Sequence, residues 1–465
     1  MSETSQIPGT HDMSYRAHVR ATLVLGLPLI GGHLAQMLVH LTDTIMVGWY
    51  GVEELAAVVL AGSIYFVFFI VGSGFAFAVM PMVASSAAAG DDLRVRRVTR
   101  MGLWISMLYT TALMPILWNF EAMMLAIGQE PRVAALAGEY MQIAQWGIFP
   151  AMLIMVLKSY LSALERPAWV LWASIIGAVA NVGFNYAFIF GNWGAPELGV
   201  QGAALASVGT QSVSALVVVV YAALAPEFRK YALFERIWRP DWPVFTEVFR
   251  LGWPIGLTML AEVGLFATAA VMMGWIGTRE LATHGIAIQI ASMSFMIYLG
   301  LSNVATIRAG RALGRQDRVG IVRAGGVVVA MQLFTAFVVI LAFLLFPEAL
   351  ISVFLDLSDP ESAAIILYGT GLLVVAAAFQ VVDGLQVVML ALLRGLQDTR
   401  VPMICALVSY WPIGLLSSYV LGFLLGFGGH GVWWGLVIGL TAAAITLGWR
   451  LWVVMERLDF EKAEL

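Results

Sequence analysis

"MVGWYGVEELA", Met46 to Ala56, returns as "MMGWIGTRELA", Met272 to Ala282, at an offset of 226 residues. Each copy closes one long apolar run and opens the next. "LGLP" at 25–28 matches "LGWP" at 251–254 at the same offset, and later "GVQG", Gly199 to Gly202, answers "GGHG", Gly428 to Gly431. Self-similarity of this kind marks a duplicated structural unit. Pro28 and Pro254 take matching places in the first apolar run of each half. A proline inside a helix removes one hydrogen bond and kinks it. Membrane helices tolerate this when neighbours satisfy the freed carbonyl.

Composition fixes the medium. Of 465 residues, 61% are hydrophobic and 12% charged, and the mean hydropathy is +0.88. Soluble domains carry roughly 25% charged residues. At half that, the chain cannot clothe a globule in polar groups, so an all-α integral membrane protein is expected. The net charge of −4 says little about partners, and the absence of a basic run argues against nucleic acid. The single cysteine, Cys405, excludes an internal disulfide and a cysteine metal cluster. The polar N-terminus has no short apolar core with a small-residue cleavage site, so no cleaved signal peptide is expected.

A helix needs about 20 apolar residues to cross the hydrocarbon core. Twelve runs qualify: 20–48, 53–85, 98–118, 133–158, 168–190, 200–224, 246–273, 280–306, 320–346, 362–390, 402–425 and 431–455. The expected architecture is therefore twelve transmembrane helices in two six-helix bundles related by the repeat. The N-lobe covers 1–225, an inter-lobe linker 226–245, and the C-lobe 246–465. With the N-terminus in the cytoplasm, 23 of the 25 basic residues fall on the inner side, and only Arg132 and Arg279 fall outside. Positive residues accumulate on the cytoplasmic side. Both termini and the linker are thus expected to be cytoplasmic, with the chain in the plasma (inner) membrane. Six spans per half make the repeats parallel, an arrangement known in transporters. GxxxG spacings at Gly422/Gly426 and Gly431/Gly435/Gly439 suit close helix packing.

Three acids lie inside these spans: Asp43, Glu262 and Asp383. No basic residue reads as deep, so they lack an obvious ion-pair partner. Unpaired carboxylates at such depth point to ion or proton sites, or to protonated acids hydrogen-bonded in the bundle. His33, Gln36, His40 and Asp43 are spaced to share one helix face. Gln380, Asp383 and Gln386 make a shorter stripe. Asn181 and Asn185 stand one turn apart, as do Thr258 and Glu262. Glu262 is twelve positions past Arg250, roughly 18 Å in at about 1.5 Å per residue. Glu262 aligns with Gln36 in the repeat and Asp43 with Ala269, so the acidic chemistry is not duplicated.

Enzyme signatures are missing. There is no GxxxxGK[ST] phosphate loop, which excludes an ATP-driven pump acting alone. HExxH and GxSxG are also absent. The chain is not expected to be an enzyme or to need a cofactor, and an ion gradient is the expected energy source. Two other readings are a flippase for lipid-linked saccharides, which should carry basic residues in its cavity, and an uncoupled channel.

Four segments carry a family resemblance: "LTDTIMVGWYG" in span one, "ANVGFNYAFIFGNWGAPELGVQGAALA" in spans five and six, "LGWPIGLTMLAEVGLFA" in span seven, and "QVVDGLQVVMLALLRGLQDT" in span ten. The chain resembles the multidrug and toxic compound extrusion (MATE) transporters, NorM-like branch, over nearly its whole length. The resemblance implies antiport of bulky cationic or aromatic drugs against Na⁺ or H⁺, through two bundles that open alternately, by a monomer. It places the cation, Na⁺ by the branch, at Glu262 and Asp383, and a proton or substrate site at Asp43, Asn181 and Asn185. Gln36, His40, Phe379 and Gln380 become accessory candidates. Phe379 stands where some relatives have tyrosine, removing a hydroxyl ligand, and Gly285 where glutamine is common.

Overall fold

All twelve expected spans are helices in the computed structural model, which describes residues 13–356, 358 and 360–458. The first half holds α1 (Tyr15–Tyr50), α2 (Val52–Ala88), α3 (Asp92–Trp118), α4 (Pro131–Ala163), α5 (Pro167–Phe188) and α6 (Gly199–Leu224). The second holds α7 (Trp242–Ile276), α8 (Thr278–Gly314), α9 (Arg318–Leu345), α10 (Pro360–Gly395), α11 (Arg400–Leu424) and α12 (Gly428–Arg457). No strand occurs among the described residues. Lys462 and the polar residues 1–12 lie outside them. Helix is the expected outcome in lipid, where each backbone polar group must find a partner within its own segment. The chain is a multi-pass membrane protein.

The duplication is visible in backbone detail. Gly51 and Gly277 precede α2 and α8 in extended conformation, with φ of −177° and 171°. At each, the glutamate three residues on, Glu54 or Glu280, folds its carboxyl into the space a glycine side chain would need. Asp91 accepts a hydrogen bond from the Arg94 backbone N–H at the start of α3, and Asp317 accepts one from Gly320 at the start of α9, again 226 residues apart. These are N-caps, which satisfy an orphan donor of the first turn. Gly199 and Gly428, opening α6 and α12, share a left-handed φ of 55° and 58°, which favours glycine.

The chain divides into two compact units, Leu27–Gly256 and Met1–Gly26 with Leu257–Leu465. The first packs Leu117, Phe120, Met124, Met141, Ile148 and Met152 into its core. The second packs Leu265, Met273, Leu372, Tyr410, Trp433 and Leu436. The dividing points therefore fall inside α1 and α7, beside Pro28 and Pro254, whereas the lobes expected from sequence were divided at 226–245. Contacts within each unit explain the placement. In the second unit, Arg308 of α8 donates to the His18 carbonyl at 2.7 Å and to Thr22 Oγ1 at 3.0 Å, which ties in the start of α1. In the first, Gly74 of α2 abuts the backbone of Gly252 and Gly256. Both α1 and α7 run continuously through their prolines.

Of residues 226–245, expected as a linker, 242–245 open α7 and 226–241 are strapped to α3. Arg100, only 8% exposed, donates to the Arg239 carbonyl at 2.7 Å and the Glu235 carbonyl at 3.5 Å. Trp104 donates to the Ile237 carbonyl at 2.8 Å. Arg97 pairs with Asp241 and holds that carboxyl below the usual carboxylate range. Lys230 pairs with Asp92 at 2.9 Å. Hydrogen bonds from a buried charge are worth about 1.5–3 kcal/mol, and exposed ion pairs about 0–1. Arg100→Ala is therefore expected to destabilise by about 2 kcal/mol, and the exposed Arg94→Ala by less than about 1. Thermal unfolding in detergent checks this; equal effects would deny Arg100 its strapping role.

Glycines carry the tightest packing, which suits membrane bundles. On α12, a Cβ at Gly431, Gly435 or Gly439 would fall 2.5 Å from the Leu421 backbone, 2.2 Å from Ser418 N and 2.6 Å from Gly414 Cα. That row of glycines is a packing seam. The Gly422/Gly426 pair is not: Gly422 packs on Val432, but Gly426 lies past the end of α11 at φ 75° with nothing near it.

Candidate functional site

In the second unit, α7 and α10 bring Glu262 and Asp383 to one amide. Gln386 Nε2 donates to Glu262 Oε1 at 3.0 Å and to Asp383 Oδ1 at 3.4 Å. A side-chain amide has two N–H donors, so one nitrogen can serve both acids. Its other end is fixed as well, since Tyr410 Oη donates to Gln386 Oε1 at 2.6 Å. Asp383 is 3% exposed and Gln386 and Tyr410 are fully buried. Tyr410 stands at the start of a π-helical stretch, Ser409–Leu415, that contains Pro412. Proline lacks the N–H that the helical ladder needs, and single π turns recur at functional sites.

A cation is also present at longer range. Arg394, in the last turn of α10, lies within electrostatic reach of Glu262. Lys158 of α4 is only 4% exposed and lies within reach of His33. Arg394 thus gives Glu262 a basic neighbour that its span does not show, and Lys158 is a basic side chain buried inside its unit. Sequence position put both near helix ends, but a long side chain can lay its charge several ångströms along the axis.

In the first unit, Asp43 of α1 meets both asparagines of α5. Asn181 Nδ2 and Asn185 Nδ2 donate to Asp43 Oδ1 at 2.8 and 2.7 Å, and Asn185 Nδ2 also approaches Asn181 Oδ1 at 3.2 Å. Both asparagines are fully buried. Asp43 Oδ2 accepts no hydrogen bond from the described residues. Tyr140 and His40 lie within electrostatic reach of Asp43. A cavity of about 470 Å³ is lined by Thr42, Trp49, Val182, Tyr186 and Trp193 among others, chain neighbours of this cluster, but by none of its three polar side chains.

The accessory candidates separate. Gln380 joins the acids' neighbourhood, accepting from Ser294 Oγ at 3.1 Å. Phe379 does not hold polar atoms: its ring packs edge-on against Phe266 and Trp433. The expected polar stripe on α1 splits. His33 is buried, whereas Gln36 and His40 are exposed, and His40 lies within electrostatic reach of Asp43. Thr258, one turn before Glu262, is 4% exposed. Tyr410 was missed by sequence reasoning; a tyrosine beside a proline inside span eleven was the available signal.

Chemically, two carboxylates held side by side in a low-dielectric interior repel one another unless a proton or cation lies with them. Carboxylate and amide oxygens suit a hard ion. Among the described residues no group of three or more His, Cys, Asp or Glu converges as a metal centre. The oxygens at this place are those of the two acids and of neutral side chains.

Comparisons with known proteins bear on the family and the fold. The MatE family model matches twice, over residues 28–187 and 254–420, starting at the two repeat-related prolines. The chain is 48% identical over 448 residues to a "Probable multidrug resistance protein NorM" of Rhizobium meliloti, covering 96% of each. It is 47% identical over 444 residues to one of Agrobacterium fabrum, again covering 96% of each. Among solved structures, a MATE in complex with MaL6 superposes with a TM-score of 0.86 at 21% identity, over 95% of this chain and 97% of that one. A eukaryotic MATE transporter superposes with a TM-score of 0.83 at 18% identity, over 96% and 99%.

Proposed function

The chain belongs to the MatE family of multidrug and toxic compound extrusion transporters, and from that premise we propose that it exports bulky cationic or aromatic compounds by cation-coupled antiport. The observation that carries the proposal is the Gln386 amide that ties Glu262 to Asp383. It holds two acids where a cation entering from outside would relieve their repulsion. Na⁺ is the proposed coupling ion, since the atoms on offer are hard oxygens. Phe379 adds none, which leaves the load on the carboxylates. The proposed setting is the plasma membrane with both termini cytoplasmic, and the acting form a monomer that alternates its access. No enzyme chemistry or cofactor enters.

Asp43 with Asn181 and Asn185 is the proposed substrate or proton station. Its free Oδ2 can meet a cationic centre, and Trp49, Tyr186 and Trp193 offer ring faces in the cavity lined by its chain neighbours. Cations are attracted to such faces. The names of the relatives above support this substrate class, as drugs of the ethidium and fluoroquinolone type would fit it.

The test is efflux from proteoliposomes with imposed Na⁺ or H⁺ gradients applied separately. Substrate should leave under one gradient and not without it; ethidium movement independent of both would sink the antiport reading. Asp43→Asn keeps the shape and removes the charge. One charged contact is worth about 1.5–3 kcal/mol, so ethidium efflux should fall at least about tenfold. An unchanged rate would remove Asp43 from the substrate and proton path.

A further inference from the structure

Four buried polar atoms beside Asp383 have no hydrogen-bond partner among the described residues. Gln332 of α9 is 1% exposed, and neither its Nε2 nor its Oε1 is bonded. Tyr298 of α8 is fully buried with a free hydroxyl. Gln380 of α10 is 1% exposed, and its carbonyl accepts from Ser294 while its Nε2 is free. Unpaired buried polar groups are costly, and native interiors keep few of them. Leucine and phenylalanine would fill the same space at no such cost.

They converge on one strip of α10. A Cβ at Gly384 would lie 3.2 Å from Gln332 Cγ, 3.4 Å from its Nε2 and 3.6 Å from Tyr298 Cε2. Gly384 follows Asp383 directly and stands one turn after Gln380, on the same helix face. Ser294 and Tyr298 are likewise one turn apart on α8. Tyr298 is within electrostatic reach of Asp383. Three helices therefore aim polar atoms at the flank of Asp383 that adjoins α8 and α9, while Gln386 of α10 donates to it and Glu262 of α7 lies within electrostatic reach. The charged or titratable groups in the neighbourhood are Glu262, Asp383, Arg394, Tyr298 and Tyr410.

We propose that Tyr298, Gln332 and Gln380 form a second, oxygen-lined station for the coupling cation, adjoining the Glu262–Asp383 pair. The inference rests on the reading that this pair takes the coupling cation. Gln332 Oε1, Tyr298 Oη and the Asp383 carboxylate are oxygen ligands of the type a hard monovalent ion accepts. The free amide nitrogens of Gln332 and Gln380 can donate to a water that travels with it. The cation then passes between two neighbouring stations that share Asp383, without crossing an unlined stretch of bundle.

The probes are Na⁺, with choline as its replacement, and a pH step. Ethidium efflux from proteoliposomes is measured against the concentration of whichever cation drives the wild type. Tyr298→Phe and Gln332→Leu should each raise the half-saturating concentration about tenfold or more. The rate at saturation, and ethidium binding without a gradient, should stay within about twofold of wild type, a split that a packing role would not produce. Should Gln332→Leu fail to fold, Gln332→Met keeps the side-chain length and carries the same expectation. Wild-type cation dependence in both Tyr298→Phe and the Gln332 variant, with raised thermal stability, overturns the inference alone if Asp383→Asn still abolishes the drive. A wild type without cation-driven efflux overturns both this inference and the antiport reading.

Discussion

Asp383→Asn is expected to reduce gradient-driven ethidium efflux to the passive leak, a fall of about tenfold to a hundredfold. Asparagine preserves the volume of aspartate and removes only the charge. Asp383 is 3% exposed and touches Gln386 at the long distance of 3.4 Å, so the fold does not hang on its hydrogen bond. The Tyr410–Gln386–Glu262 chain remains intact in the variant. What disappears is one of the two negative charges proposed to hold the cation. Efflux with and without an imposed gradient, at matched protein content, separates drive from leak. Driven efflux at the wild-type rate would sink the assignment of Asp383 to the coupling cation, and with it the antiport mechanism built on the pair.

The second large effect is structural. Gly435→Val should prevent the second unit from assembling, with destabilisation above about 3 kcal/mol and loss of monodisperse protein. A Cβ there would lie 2.2 Å from Ser418 N and 2.3 Å from Ser418 Cα. These are backbone atoms, and backbone cannot swing aside as a side chain can. The hydrogen bond from Ser418 Oγ to the Val432 carbonyl at 2.9 Å, which spans the same seam, would be lost with the approach. Gly448 on the same helix has nothing within 4 Å and is the control. Gly448→Ala should be tolerated within about 1 kcal/mol, with some gain from helix propensity. Size-exclusion profiles and thermal unfolding of the two variants decide it. Equal behaviour would mean that the seam is not the close contact between α11 and α12 that the geometry describes.

The candidate acids were legible because charge stands out in an apolar run. Their partners were not. Gln386 could be seen as the end of a stripe with Asp383, but its bond to Glu262 spans 124 residues of chain. Tyr410, Tyr298 and Gln332 lie on three other helices, and in sequence they look like any polar residue near a span. The α1 stripe shows the opposite failure. The spacing from His33 to Asp43 does share a helix face, yet neighbouring helices cover only part of its length, so Gln36 and His40 are exposed. The Gly422/Gly426 spacing misled for a local reason: α11 ends before Gly426.

By itself the sequence determined the twelve spans, their duplication and the acids placed inside them. Those properties are local or periodic: an apolar run either matches the thickness of a bilayer or does not, and a repeat is read by sliding the chain over itself. Only the tertiary structure decided that Asp43 belongs to two asparagines and that Glu262 and Asp383 belong to one glutamine. It alone strapped residues 226–241 to α3 and drew the dividing points of the two units into α1 and α7. Each of these depends on which helix faces abut, and an amide or guanidinium bonds whatever lies within about 3 Å of it, at any separation along the chain.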